Sequence, residues 1–309
     1  MKTVYLNNFM SSVVTELERN GQYSTAHVCG SVLRSVMAFD GDGLLLSGIT
    51  PLWLKSYEYY LLHKGEKGLE WNTISTYMRM LRAVYNRAVV RKLVPFVPHL
   101  FREVFTGRKA DHRRVLERDD MRRLLAEKDL DIISPGMEWA RACLELMFRF
   151  HGMPFVDLAH LRKSDLKDGY LTLRRRKTGM PLSARVDSRA MQLLERYRNR
   201  DDTSPYLLCF LDGSLEGMAA YRDYLRILRL LNSKLRALAL WRKVQGKVTS
   251  YTARHTWATA GKYCHIPIEI ISEGLGHASV TTTEGYMKGF GNSRMDRANK
   301  VIMNYIFES

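Results

Sequence analysis

The strongest constraint on the fold is a place where helical order stops. From Pro95 to Arg114 the run PFVPHLFREVFTGRKADHRR carries two prolines, a glycine and a cluster of Lys109, Arg113 and Arg114, and its apolar residues keep no regular spacing. Proline lacks a backbone donor and disfavours helical geometry in the residue before it, so the stretch reads as a linker. It divides 309 residues, too many for one ordinary core, into an expected domain at 1–94 and a second at 115–309. A basic linker can lie along a polyanion, or it can be an ordinary solvated connection.

The piece before the linker reads as a four-helix bundle. In Asn72 to Leu93 the residues Ile74, Tyr77, Met78, Leu81, Val84, Tyr85 and Ala88 recur at three and four, and Arg79, Arg82, Arg87 and Arg91 fall on other faces. Earlier helices are expected at about Leu6 to Arg19, Ser24 to Phe39 and Pro51 to His63. Past the linker come helical LERDDMRRLLAEK and a long helix at Gly136 to Phe150, and then two strands, Tyr170 to Arg174 and Pro181 to Val186, with Gly179 in their turn. Helices return at Ser188–Arg198, Met218–Trp241, Tyr251–Tyr263, Pro267–Leu275 and near Ser293–Ile306. The expected class is mainly α with a small antiparallel β-sheet, in two domains.

A formal charge of +16 on a chain that is 46% hydrophobic describes a folded basic protein, for which a polyanion is the natural partner. Cys29, Cys143, Cys209 and Cys264 are widely separated, which suggests neither a metal cluster nor a disulfide framework and fits a reducing cytoplasm. No metal or other cofactor is expected. Neither a signal peptide nor a membrane-spanning run of roughly 20 apolar residues is apparent.

Chemistry concentrates near the end, in TSYTARHTWATAG and GLGHASVTTTEGYM, which hold Arg254, His277 and Tyr286. A guanidinium forks onto two phosphate oxygens, an imidazole donates to another, and a phenol can attack phosphorus. With a reference pKa of about 10, the phenol needs neighbouring cations to act near neutral pH. Taken singly, Arg254 reads sooner as a surface ion-pair residue, His277 as a capping or core residue and Tyr286 as a core or interface residue. Lys177, in the hairpin turn Arg174-Arg175-Arg176-Lys177, can protonate a leaving oxygen or, with its three arginine neighbours, simply grip phosphates.

Together, GMPFVDLAHLRKSDL, the hairpin KTG, ARHTWAT, LGH and a tyrosine nine residues further on resemble the tyrosine recombinase, or phage integrase, family over most of residues 115–290. The GMPFVDLA segment is similar to mobile-element integrases and invertases of Bacteroidetes-type bacteria. The resemblance implies that Tyr286 is the nucleophile, Arg254 the second catalytic arginine, His277 the histidine of the LGH box, Lys177 the general acid and Asp157 an acidic brace. It also implies that the first helices form a SAM-like core-binding domain. Arg79, Arg82, Arg87, Arg174, Arg175 and Arg176 are expected to contact DNA.

Two positions depart from the family pattern. Where its first box has an arginine two residues after the glycine, this chain has Pro154, and Arg149 is the expected substitute, with Arg162 and Arg175 behind it. Tyr251 stands where the family commonly has histidine, in an expected supporting role. The implied function is site-specific recombination through a 3′-phosphotyrosyl intermediate, for integration, excision or inversion of a segment. The implied assembly is a homotetramer on paired double-stranded DNA sites, monomeric or weakly associated without DNA, with host DNA-bending proteins as accessory partners. An apolar stripe of Met295, Ala298, Val301, Ile302, Tyr305 and Ile306 either docks on a neighbouring protomer or packs on its own domain. Competing expectations are a DNA-binding regulator with a decayed site, favoured by Pro154 and Tyr251, and a type IB topoisomerase-like enzyme.

Overall fold

The structure, a computed structural model, describes residues 3–107, 109, 115–128, 132–277, 279–284, 287, 295, 299, 300 and 303. The chain forms two compact units, one of Met1–Ala110 with Leu215–Tyr221 and one of Asp111–Ser214 with Arg222–Ser309. Among the described residues no helix is long and apolar enough to cross a membrane.

The first unit is built on α1 (Leu6–Arg19), α2 (Tyr23–Asp40), α3 (Pro51–Leu62) and α4 (Trp71–Val90). Leu6, Phe9, Met10, Val13 and Leu17 line one face of α1, and Ile74, Met78, Leu81, Val84, Tyr85 and Ala88 one face of α4, so helical spacing alone creates both buried stripes. Proline at the first position of α3 and the Thr50 hydroxyl, which accepts from the Trp53 amide at 3.1 Å, start that helix sharply.

The expected linker is corrected here. Leu100, Phe101 and Val104 are buried in the core of the first unit. The buried Glu58 carboxylate accepts from the Phe105 amide at 2.6 Å, and the Ser75 hydroxyl donates to the Gly107 carbonyl at 2.6 Å. Asn72 exchanges two hydrogen bonds with the Lys109 backbone, both 2.9 Å. The prolines break the helical pattern without detaching the chain, and the unit runs to about residue 110 instead of 94.

The second unit contains α5 (Arg118–Leu125), α6 (Pro135–Arg149), α7 (Phe155–Ala159), β1 (Leu166–Lys167), β2 (Tyr170–Arg174), β3 (Pro181–Arg185) and α8 (Ser188–Arg196). These are followed by α9 (Gly217–Trp241), whose first residues count with the first unit, then α10 (Thr252–Tyr263), α11 (Ile268–Leu275) and α12 (Val280–Glu284). Helix α6 is buried continuously from Ala140 to Met147 and forms the centre of the core. The strands make an antiparallel sheet in the order β1-β2-β3, with Leu171 opposite Ala184 and Leu173 opposite Leu182. Sequence reasoning missed β1, although its turn, Asp168-Gly169, has the positive φ at both central residues (51° and 75°) that such dipeptides favour. The expected last helix and its apolar stripe lie mostly outside the described residues.

Candidate active site

The site is assembled from three loop–helix junctions of the second unit. The first is the start of α10, where the Thr249 amide donates to the Thr252 hydroxyl at 2.9 Å and the Asn232 side chain accepts from the Ser250 amide at 2.8 Å. This fixes the first turn and turns Arg254 inward, leaving it 3% exposed. Gly152 has φ 66°, and a Cβ there would sit 2.9 Å from the Arg254 Cα, so only glycine allows this close approach. The Gly152 carbonyl accepts from Arg254 at 3.1 Å.

The second junction is the end of α11. Gly276 caps it in the left-handed region with φ 62°, and the His277 amide donates back to the Ser272 carbonyl at 3.0 Å. The cap exposes the Leu275 carbonyl, which accepts from Arg254 at 2.7 Å, and it brings His277 Nε2 to 2.7 Å from the same guanidinium. On its other side His277 Nδ1 lies 2.8 Å from the hydroxyl of Thr283, a fully buried residue of α12.

The third junction is the exit of β2. Side chains alternate along the strand, so Leu171, Leu173 and Arg175 share the inner face while Arg174 and Arg176 face outward. Arg175 is consequently 6% exposed. Its Nε donates to Asp157 Oδ2 at 2.6 Å, and a terminal nitrogen donates to the Leu275 carbonyl already held by Arg254. The other oxygen of Asp157, itself buried on α7, accepts from the Arg176 amide at 2.9 Å. A Cβ on Gly276 would meet the Arg175 guanidinium at 2.9 Å, a second reason for glycine there.

The electrostatics follow from this convergence. Burial, followed by the charges of Arg254, Arg175 and Lys177, lowers the His277 pKa to about 4. The imidazole is therefore neutral near pH 7. Because a guanidinium nitrogen has no lone pair to offer, Nε2 accepts from Arg254, and Nδ1 carries the proton toward Thr283. Lys177 stands exposed in the β2–β3 turn, close enough to contribute to this field.

Of the residues expected from sequence, Arg254 contacts His277 and Arg175 contacts Asp157, the two pairs meet at the Leu275 carbonyl, and Lys177 joins them electrostatically. Tyr286 lies outside the described residues. Tyr251 is 43% exposed at the start of α10, with its ring 6.4 Å from that of His255. Arg149 does not join the cluster: its Nε donates to Glu145 at 2.9 Å and its terminal nitrogen to Asp187 at 2.6 Å, tying α6 to α8. Arg162 precedes a short 3-10 turn and pairs by a backbone bridge with Tyr206. Arg175 is buried instead of lying on the outer face with Arg174, whose guanidinium donates to the Gly179 carbonyl at 3.2 Å.

Helix α4 keeps Arg82 exposed, whereas Arg79 donates to the Ser75 carbonyl at 3.4 Å and Arg87 pairs with Glu16 of α1 at 3.5 Å. Sequence reasoning missed the contact of Thr283 with His277, for which a hydroxyl six residues after the histidine, one of three consecutive threonines, was the available signal.

Comparison with known proteins gives matches to both units. Residues 5–101 match the phage integrase SAM-like domain, and residues 114–290 match the phage integrase family. A curated relative, tyrosine recombinase XerA of Pyrococcus furiosus, is 31% identical over 140 residues, which cover 44% of this chain and 46% of that protein. The chain thus aligns with less than half the length of this relative. The fold is shared with a lambda integrase dimer bound to a COC′ core site (TM-score 0.63, 17% identity, 92% of this chain and 77% of the other). It is shared also with the Tn1549 transposon integrase in complex with transposon right end DNA (TM-score 0.64, 15% identity, 96% and 98%).

Proposed function

This chain belongs to the phage integrase family, and from that membership we propose that it is a tyrosine site-specific recombinase acting on double-stranded DNA in the cytoplasm. The observation that carries the proposal is the meeting of Arg254, Arg175 and His277 around the Leu275 carbonyl, with Lys177 contributing to the same field. A carbonyl oxygen held by two guanidiniums marks a place that a non-bridging phosphate oxygen can take, because both present a partial negative charge to N–H donors.

In the proposed reaction Tyr286 gives up its phenolic proton to water, and its oxygen bonds to the scissile phosphorus as the bond from phosphorus to the 5′ oxygen breaks. Lys177 protonates the departing oxygen, and a 3′-phosphotyrosyl ester remains. Arg254 and Arg175 stabilise charge on the five-coordinate phosphorus, with Arg175 filling the role left open at Pro154. Asp157 orients Arg175 through one oxygen and the hairpin backbone through the other. One ester replaces another, so the bond energy is kept for religation and no cofactor is called for. Exposed Arg82, Arg174 and Arg176 grip the DNA backbone, and protomers assemble as a tetramer on two sites.

The test is a nicked suicide duplex chosen by binding selection from a random pool with the full chain. The natural protein is expected to form a covalent adduct, and Tyr286→Phe to form none. Sequence-specific binding without any adduct would instead favour the second reading, a recombinase-derived DNA-binding regulator, which Pro154 and Tyr251 suggest.

A further inference from the structure

The geometry points to Thr283 as the positioning residue of His277: its hydroxyl holds the imidazole on Arg254 in the resting protein and lets the ring change tautomer when a phosphate oxygen enters. The inference rests on the phosphoryl-transfer function proposed above.

Three observations carry it. Thr283 is fully buried, and its Oγ1 lies 2.8 Å from Nδ1 of His277. The opposite nitrogen, Nε2, lies 2.7 Å from an arginine nitrogen that can only donate. Hence the resting imidazole carries its hydrogen on Nδ1 and gives it to the threonine oxygen.

A phosphate oxygen needs the reverse arrangement, because it accepts, and Nε2 must then bear the hydrogen. With a backbone carbonyl beside Nδ1 the neutral ring would be locked, since a carbonyl only accepts. A hydroxyl both donates and accepts. Rotation of one O–H bond converts Thr283 from acceptor to donor, and Nδ1 can then be left unprotonated without losing its partner. One proton passes from Nδ1 to water and one from water to Nε2, so the ring stays neutral. Burial and the surrounding cations keep the ring neutral in the resting protein, and a tautomer change gives a donating Nε2 with no change in the charge of the ring. Thr283 also lies three residues before Tyr286, so the same short segment carries both the residue that orients the histidine and the expected nucleophile.

Two measurements on the full-length chain test this. Long-range proton–nitrogen NMR of His277 should show an Nδ1–H ring in the natural protein, turning to Nε2–H on addition of inorganic vanadate as the oxyanion probe. Thr283→Ser should behave in the same way, and Thr283→Val should lose the change. A resting Nε2–H ring in the natural protein, or an unaltered change in Thr283→Val, overturns the inference. If Thr283→Val does not fold, the resting tautomer of the natural protein and the response of Thr283→Ser decide it.

On the selected nicked duplex, Thr283→Val should cleave roughly 10- to 100-fold more slowly, as expected when a buried polar group loses its partner, and Thr283→Ser should recover most of the rate. Equal cleavage by the valine variant, or none by the serine variant, sinks the assignment. If the natural protein forms no adduct, the recombinase function fails by itself, while the NMR result still decides the role of Thr283.

Discussion

Two clusters of arginine and carboxylate in the second unit use the same residue types to opposite ends. In one, Glu145 accepts from Arg141, Arg149 and Arg189, while Asp187 takes Arg149 and Glu127 takes Arg189. Three acids face three arginines, the charges match, and the cluster fastens α6 to its surroundings. In the other, Asp157 takes Arg175, while Arg254 is held by two carbonyl oxygens and an imidazole and Lys177 stands exposed nearby. The carbonyls and the imidazole accept from the guanidinium while carrying no formal charge of their own. The difference teaches that Arg149, for all its promise in the sequence, ties one helix to the next, whereas Arg254 is held where the three junctions of the candidate site converge.

The comparison can be broken most forcefully at Glu145. Glu145→Gln leaves three arginines around a neutral amide, one of them, Arg141, only 1% exposed, and should cost about 3–5 kcal/mol of stability in denaturant unfolding. A loss below about 1 kcal/mol would mean that this cluster does not brace the fold.

A close second is the exchange of roles between two arginines. Arg175→Ala should lower single-turnover cleavage by about 10²–10³-fold, the usual effect of removing one transition-state donor. Arg149→Ala should leave the rate per folded molecule within a few fold, so the reverse ranking would restore Arg149 as the substitute for the missing arginine.

The smallest effect is a difference in acid response. His277, with its pKa lowered to about 4, remains neutral in the folded protein where the unfolded chain, near 6.5, takes up a proton. The unfolded state then binds more protons, so stability falls as pH drops from about 6.5 toward 4. Asp187 is lowered from 3.8, chiefly by the Ala190 amide and also by Arg149, so its contribution persists until pH falls below the ordinary carboxylate range. Amide exchange followed from pH 7 to 4 should therefore loosen the α11–α12 connection before the α6–α8 contact. Loosening in the opposite order would contradict these charge assignments.

Much of the fold was legible because it is periodic. Helix α1, with its apolar spacing, and α3, with Pro51 behind Thr50, follow from local rules, as do the two longer strands. The five-residue α7 and the two-residue β1 are too short to show a period. The linker was placed too early because prolines at 95 and 98 mark the end of a helix and not the end of a domain, while Leu100, Phe101 and Val104 pack without regular spacing.

In the candidate site, the motifs singled out Arg254, His277, Lys177 and Asp157, whereas which of Arg149 and Arg175 lies with them depends on the face each one occupies. Strand alternation from Leu171 through Leu173 already puts Arg175 inside. What no pattern disclosed was that backbone carbonyls, released by two left-handed glycines, would be the groups on which Arg254 closes.

The anchorage of the β2 exit on Asp157 has a consequence for timing. Arg175 and the backbone of Arg176 are fastened to one carboxylate, and Lys177 is the next residue along. Whatever shifts that short segment shifts both side chains as one lever. In the proposed reaction, where Arg175 stabilises the transition state and Lys177 gives the proton, the two roles are engaged together, one synchronous switch in place of two independent adjustments.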